Sequence, residues 1–320
     1  MRAVVFERYG PPENLSLREV EKPHPRNDEI LIKVRAAAVN PLDWHGLRGR
    51  PLLARLLVGG FLKPGHQILG SDVAGTVESV GADVTRFAQG DDIFGMTSKH
   101  GAFAEYVVFS ESSVIATKPS SLNFDEASAV PTAAMMALMG LRDQAKIKAG
   151  DKVLINGASG GIGTFAVQIA KAMGAEVTGV CSTRNLELVR SLGADRVIDY
   201  MQADFTQENV RYDVVFDVVA KRTFAECQRA LAPTGAYVTT RFSFRLVLHS
   251  LWVRMTSGRR LKPMLQPPRC QDLVFLRDSI ESRGVRPVID KRFPLAEVPD
   301  AIAYVGRGHA RGKVVIEIAP

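Results

Sequence analysis

Cysteine is scarce: Cys181, Cys227 and Cys270 are the only three in 320 residues, and no two form a C-x-x-C pair. That excludes a disulfide framework and a four-thiolate metal lobe, and it reads as free thiols of a reducing compartment. Long hydrophobic runs are missing as well, since no stretch approaches the roughly 18 apolar residues a membrane span needs. The opening Met1-Arg2-Ala3-Val4-Val5-Phe6-Glu7-Arg8 returns to charge too early for a secretory signal. A soluble, cytoplasmic protein is therefore expected. Aromatic residues reach only 7%, so the interleaved basic and aromatic pattern of single-strand binders is absent despite a formal charge of +7. The surplus is read as a match for a polyanionic small ligand, with no nucleic-acid partner expected.

The chain does have length for about two domains and, at 46% hydrophobic residues, enough apolar surface for real cores. Residues 1–120 are β-rich, with Glu29-Ile30-Leu31-Ile32-Lys33-Val34, Val73-Ala74-Gly75-Thr76-Val77-Glu78-Ser79-Val80 and Ala104-Glu105-Tyr106-Val107-Val108 as strands punctuated by glycines. From about residue 123 short apolar strands at 153–156, 176–180, 196–198, 214–217 and 236–239 alternate with helix-length segments such as 164–173 and 185–192. This alternation predicts a parallel sheet covered by helices on both faces. The last stretch returns to short elements, a helix over 272–283 and a strand over 313–318, and is expected to fold back on the first domain.

The most specific signal is Lys152-Val153-Leu154-Ile155-Asn156-Gly157-Ala158-Ser159-Gly160-Gly161-Ile162-Gly163-Thr164, in which a buried strand runs through a glycine-rich turn into an apolar-periodic helix. Glycines let backbone approach a pyrophosphate, and the amides and dipole at the helix start stabilise its charge. Ala158 takes the place of the first glycine of the usual spacing. About 20 residues on, an Asp or Glu would hold the ribose 2′-hydroxyl of NAD; here stand Cys181-Ser182-Thr183-Arg184. Two hydroxyls and a guanidinium suit a 2′-phosphate, so NADPH is the expected cofactor. The expected contacts are Ser159, Gly160, Gly161, Ile162, Gly163, Thr164, Ser182, Thr183 and Arg184, with Asp217, Val218 and Thr239 at the ends of later strands.

Gly70-Ser71-Asp72-Val73-Ala74-Gly75-Thr76-Val77, Gly101-Ala102-Phe103-Ala104-Glu105-Tyr106, Ala129-Val130-Pro131-Thr132-Ala133-Ala134, the glycine turn, Leu192-Gly193-Ala194-Asp195 and Gly312-Lys313-Val314-Val315 together resemble the medium-chain dehydrogenase/reductase superfamily. The resemblance implies an α/β protein: a GroES-like β-rich catalytic domain from residues 1–122 and 263–320, and a Rossmann doubly wound parallel-sheet domain over 123–262. Substrate would lie in the cleft, and a homodimer is implied. Alcohol dehydrogenases of the superfamily hold zinc through a Cys and a His-Glu pair, where this chain has Asn40 and Ser71-Asp72, so no metal is expected.

Val39-Asn40-Pro41-Leu42-Asp43 resembles the zinc-free quinone oxidoreductase branch, zeta-crystallin included. That implies hydride transfer from NADPH to a quinone or an α,β-unsaturated carbonyl. Asn40 would donate to the developing oxyanion, or only cap a turn; Asp43 would orient the loop. Tyr200 would sit near the adenosine 2′-phosphate, or be a half-buried core residue. Trp44, His45 and residues 52–61 would line the substrate entrance, and Met136 stands where many relatives carry a threonine near the nicotinamide. Thr239-Thr240-Arg241 replaces a glycine-rich turn and implies a narrower nicotinamide pocket. Other readings stay open: a 2-enoyl thioester reductase, an alcohol dehydrogenase, or an NADPH binder without turnover. The basic, apolar run over 241–255 could be an interfacial membrane helix, although a subunit or cleft-side helix is preferred.

Overall fold

The computed structural model describes every residue except 51, 53, 54, 56–59, 98, 241–243, 265, 319 and 320, with backbone alone at Phe244, Arg245, Leu251 and Arg254. The chain forms two compact units, Met1–Thr132 with Pro268–Pro320, and Ala133–Pro267.

The first unit is built on β1 (Arg2–Val5), β2 (Ser16–Glu19), β3 (Glu29–Val39), β4 (Asp72–Val80), β5 (Asp92–Met96), β6 (Tyr106–Ser110) and β7 (Val114–Thr117). The second contributes β8 (Lys152–Asn156), β9 (Glu176–Cys181), β10 (Arg196–Asp199), β11 (Tyr212–Asp217), β12 (Leu231–Thr239) and β13 (Arg260–Pro263). The chain then returns to the first unit with β14 (Ile289–Pro294) and β15 (Lys313–Glu317).

In the first unit β14-β15-β3-β4-β5-β7 form one sheet, with β6 also paired to β3 and a separate β1–β2 hairpin. The C-terminal strand does fold back, because β15 pairs antiparallel with β3 from Val314↔Val39 to Glu317↔Ala36. Ile30, Ile32 and Val34 alternate into the core. Ala36, Ala37 and Ala38 are fully buried despite alanine's helical preference. Their small size lets the helix Phe124–Ser128 pack on β3 and β4, a tertiary demand that overrides propensity. That packing moves the unit boundary to 132/133 rather than 122/123.

The second unit is a six-stranded parallel sheet in the order β10-β9-β8-β11-β12-β13. Its first three strands step outward from β8 in one direction, and β11 to β13 step in the other. The reversal between β8 and β11 is the place where doubly wound sheets take ligands, outside the carboxyl ends of the strands. The edge strand β13, not foreseen from the sequence, pairs with β12 from Ala236↔Arg260 to Thr239↔Pro263 and carries the unit to 267 rather than 262. The run over 241–255 does contain a helix, Phe244–Thr256, with Leu248, Trp252 and Met255 exposed. Among the described residues no helix is long and apolar enough to cross a membrane.

Candidate active site

In the second unit the site begins where β8 ends. The turn Gly157–Gly160 feeds the helix Gly161–Ala172, whose N-cap is Gly160; no side chain caps it and no acidic residue lies in its first turn. The amides of Gly161, Ile162 and Gly163 are therefore offered to an anion. The glycines differ in what they do. A Cβ on Gly163 would lie 2.0 Å from the Gly157 carbonyl oxygen, so this glycine seats the helix against the turn. A Cβ on Gly160 would meet only that same oxygen at 3.5 Å, which leaves open room where a phosphate can approach backbone.

Beside this turn, Asn185 Nδ2 donates to Ser159 Oγ at 2.9 Å and to Ser182 Oγ at 3.2 Å. It ties the glycine turn to the end of β9. Asn185 Oδ1 is buried without a hydrogen-bond partner, an unused acceptor beside the glycine turn. Neither Asn185 nor its bridge was anticipated, since a single Asn in a polar run carries no periodic signal.

Ser182 is half-buried, and Thr183 and Arg184 are exposed at the same strand end. Tyr200 is 53% exposed, not a core residue, and its N–H donates to the Cys181 carbonyl at 3.0 Å, which brings it beside Ser182. The nearby carboxylate is Asp199. It accepts from Thr183 Oγ1 at 2.5 Å and from the Met201 N–H at 3.0 Å and is only 9% exposed, so it is turned into its own loop. These residues and the uncapped helix suit an adenine dinucleotide.

Three of the residues expected at the cofactor have buried side chains. Thr164 is fully buried and donates back to the Gly161 carbonyl at 3.0 Å. Asp217 is also fully buried, accepting from Asn156 Nδ2 at 2.8 Å, the Ala220 N–H at 3.0 Å and Tyr237 Oη at 2.7 Å. Its carboxylate binds the ends of β8, β11 and β12 together and raises the Tyr237 phenol, already raised by burial, further. Thr239 is 2% exposed. Their side chains form part of the floor of the switch point. Val218 is half-buried and its carbonyl accepts from Thr240 Oγ1 at 3.2 Å, whereas Arg241 lies outside the described residues. Met136, half-buried on the helix Pro131–Leu138, belongs to this unit.

In the first unit a polar cluster sits at the junction of β3, β4 and β15. Asn40, Asp43, Asp72 and Lys313 are 4%, 0%, 0% and 4% exposed. Asn40 opens the helix Pro41–Arg48, yet its side chain makes no cap; the Asp43 carboxylate reaches back to the Asn40 N–H at 2.7 Å instead. Asp43 also accepts from the Gly70 N–H at 3.1 Å. Burial pushes its carboxyl up to about 7, against the pull of the two amides and Lys313.

The Asn40 amide turns to charged partners. Its Oδ1 accepts from Lys313 Nζ at 2.5 Å, and its Nδ2 donates to Asp72 Oδ2 at 3.1 Å. Lys313 reaches the Val39 carbonyl and Asp72 Oδ2, each at 3.4 Å, and Thr132 Oγ1 donates to Asp72 Oδ1 at 2.5 Å. Lys313 was legible only as the charged head of an apolar strand, for which a solvated lysine is the ordinary reading. Lys313 thus pairs with both Asn40 and Asp72. Among the described residues no group of three or more His, Cys, Asp or Glu could hold a metal.

Trp44, expected to line the substrate entrance, is half-buried and packs on the C-terminal segment of the first unit. Its indole fills the space a Cβ on Gly306 would need, 2.6 Å away, and Arg48 stacks on it at 4.9 Å. His45 is exposed, with Nδ1 3.2 Å from the Arg50 carbonyl. Of residues 52–61, expected at the same entrance, 53, 54 and 56–59 lie outside the described residues.

Residues 26–119 match the alcohol dehydrogenase GroES-like domain, and residues 192–316 match the zinc-binding dehydrogenase family. The chain is 33% identical to a chloroplastic quinone-oxidoreductase homolog of Spinacia oleracea, over 99% of this chain and 98% of that one. It is also 33% identical to an NADPH-dependent alkenal/one oxidoreductase, chloroplastic, of Arabidopsis thaliana, covering 100% of this chain and 80% of the relative. The solved quinone oxidoreductase of Coxiella burnetii superposes with a TM-score of 0.89 at 31% identity, over 100% and 99% of the two chains. With both domains matched, the chain belongs to the medium-chain dehydrogenase/reductase superfamily, in its quinone oxidoreductase-like branch of nicotinamide-dependent oxidoreductases.

Proposed function

We propose that the protein is an NADPH-dependent reductase that delivers hydride to a quinone or an α,β-unsaturated carbonyl without a metal. The observation that carries the cofactor half is the uncapped helix at Gly160 beside the Ser182 hydroxyl and the Arg184 guanidinium. The nearest carboxylate, Asp199, is occupied by Thr183 and its own loop, so it does not stand as a ribose-binding acid. Ser159 and Ser182 each accept from Asn185, which leaves their hydroxyl protons for a phosphate.

Bound there, NADPH would supply two electrons as hydride, and negative charge would appear on the acceptor's oxygen. Asn40 supplies a donor for that charge, and water returns the proton. A metal is disfavoured because Lys313 already pairs the donors that would hold it. The relatives named for quinones and for alkenals or enones support the acceptor class.

Steady-state oxidation of NADPH and NADH against a panel of quinones and enones tests this reading. Turnover with a higher kcat/KM for NADPH is expected, with Arg184→Ala shrinking that preference. A clear NADH preference would remove the cofactor assignment, and inert wild-type protein the whole reading. Metal analysis returning about one zinc per chain would overturn the metal-free step.

A further inference from the structure

The buried polar cluster of the first unit has a feature that hydride transfer alone does not require: a complete ammonium–carboxylate pair built around one amide. Removing two charges from water costs several kcal/mol per ion, and a buried pair is poor evidence for stability. A hydrophobic trio at these positions would hold β3, β4 and β15 together as well. Something other than stability accounts for the pair.

We infer that Lys313 and Asp72, with Thr132 behind them, are positioning residues that make Asn40 a hydrogen-bond donor of fixed orientation; this rests on the reading of Asn40 as the group facing the substrate oxygen. An asparagine amide can turn over and present either oxygen or nitrogen. Here it has one orientation. Lys313 has only donors and takes Oδ1 at 2.5 Å, while Asp72 has only acceptors and takes one Nδ2 proton at 3.1 Å. Reversing the amide would face Oδ1 to a carboxylate and the NH2 to an ammonium, two repulsions in a site 0–4% exposed.

The accounting leaves one hydrogen. The three ammonium protons find Asn40 Oδ1, the Val39 carbonyl and Asp72, and the Asp72 oxygens are shared among Asn40, Lys313 and Thr132. The second Nδ2 proton of Asn40 is the one without a partner in this network. The cation on the carbonyl oxygen and the carboxylate on the first N–H act in opposite senses on the strength of this remaining N–H, so what the pair fixes is its direction. Thr132, held to Asp72 Oδ1 at 2.5 Å, sets the angle from which the carboxylate grips the amide.

The test compares wild type with Lys313→Met/Asp72→Asn, which removes both charges together, and with Thr132→Val. Each is measured for melting temperature, NADPH affinity by calorimetry, and kcat and KM with the best quinone or enone. For the double variant the expected result is near wild-type folding and NADPH affinity with kcat lowered at least tenfold and the acceptor KM changed less than threefold. Thr132→Val, the gentler change that keeps both charges, should lose threefold or more in kcat, and it carries the test by itself where the double variant fails to fold. Lys313→Arg, which keeps the cation, should recover part of the loss. A folded variant of either kind with wild-type kcat, or a loss confined to KM, would overturn the assignment while leaving the reductase reading intact. A wild type inert with every acceptor would remove both.

Discussion

Asp43 shows how a single buried group sets a measurable property. Its carboxyl sits at about 7 in the folded chain, against an ordinary value near 4. In that interval the folded state holds a proton that the unfolded state has released, so stability is greatest below the ordinary value and falls as pH rises towards 7. The loss amounts to about 4 kcal/mol at most, at about 1.4 kcal/mol per pH unit. Urea unfolding of wild type and Asp43→Asn should show wild type ahead at pH 5.5 and the gap narrowing by pH 8; a constant gap would place the titration elsewhere. Surface carboxylates such as Glu105 and Glu281 are held below their ordinary values and act in the opposite sense, at more acidic pH. Gly160 and Gly163 give a second prediction at this scale. Gly160→Ala should keep the melting temperature and weaken NADPH binding at least tenfold, because its Cβ enters open room. Gly163→Ala should lower both, since its Cβ would collide with backbone at 2.0 Å. Unchanged affinity in the first would sink the proposed phosphate approach.

Among the elements, the parallel sheet carries the site through the ends of its strands. Asp217 on β11 holds Asn156 of β8 and Tyr237 of β12, so three strand ends move as one floor. Tyr237→Phe leaves one oxygen of a fully buried carboxylate short of a donor and should cost about 1–3 kcal/mol in chemical denaturation. A cost near zero would mean that the phenol is not what satisfies Asp217. The same element shows where pattern reading stops. The strand over 214–217 and its acidic end were plain from the sequence, but whether that acid faces ligand or sheet was not, because both readings use the same residue at the same strand end. In the first unit, β3 was expected over 29–34 and runs to Val39; the alanines that extend it have strand conformation only because β15 and β4 pair on either side.

For the molecule as a whole, the decisive arrangement is a first unit assembled from both ends of the chain, with β15 seated between β14 and β3. A chain ending at Gly312 loses that strand and Lys313 together, and is expected to leave the first unit open to limited proteolysis while the residues of the second, 133–267, remain protected. Equal resistance in both units would contradict the pairing. The sequence by itself determined the strand–glycine–helix unit, the βα alternation, the basic hydroxyl-bearing end of β9 and the return of the C-terminal strand, because periodicity and local turn chemistry are carried by neighbouring residues. Only the tertiary structure decided that Asn40 is gripped by Lys313 and Asp72, that Asn185 bridges two serines, that Thr164 and Asp217 are buried, and that Trp44 packs on Gly306. Those outcomes depend on residues as far apart as Asn40 and Lys313, and on which side of a strand or turn another element covers, a choice that one-dimensional pattern does not contain.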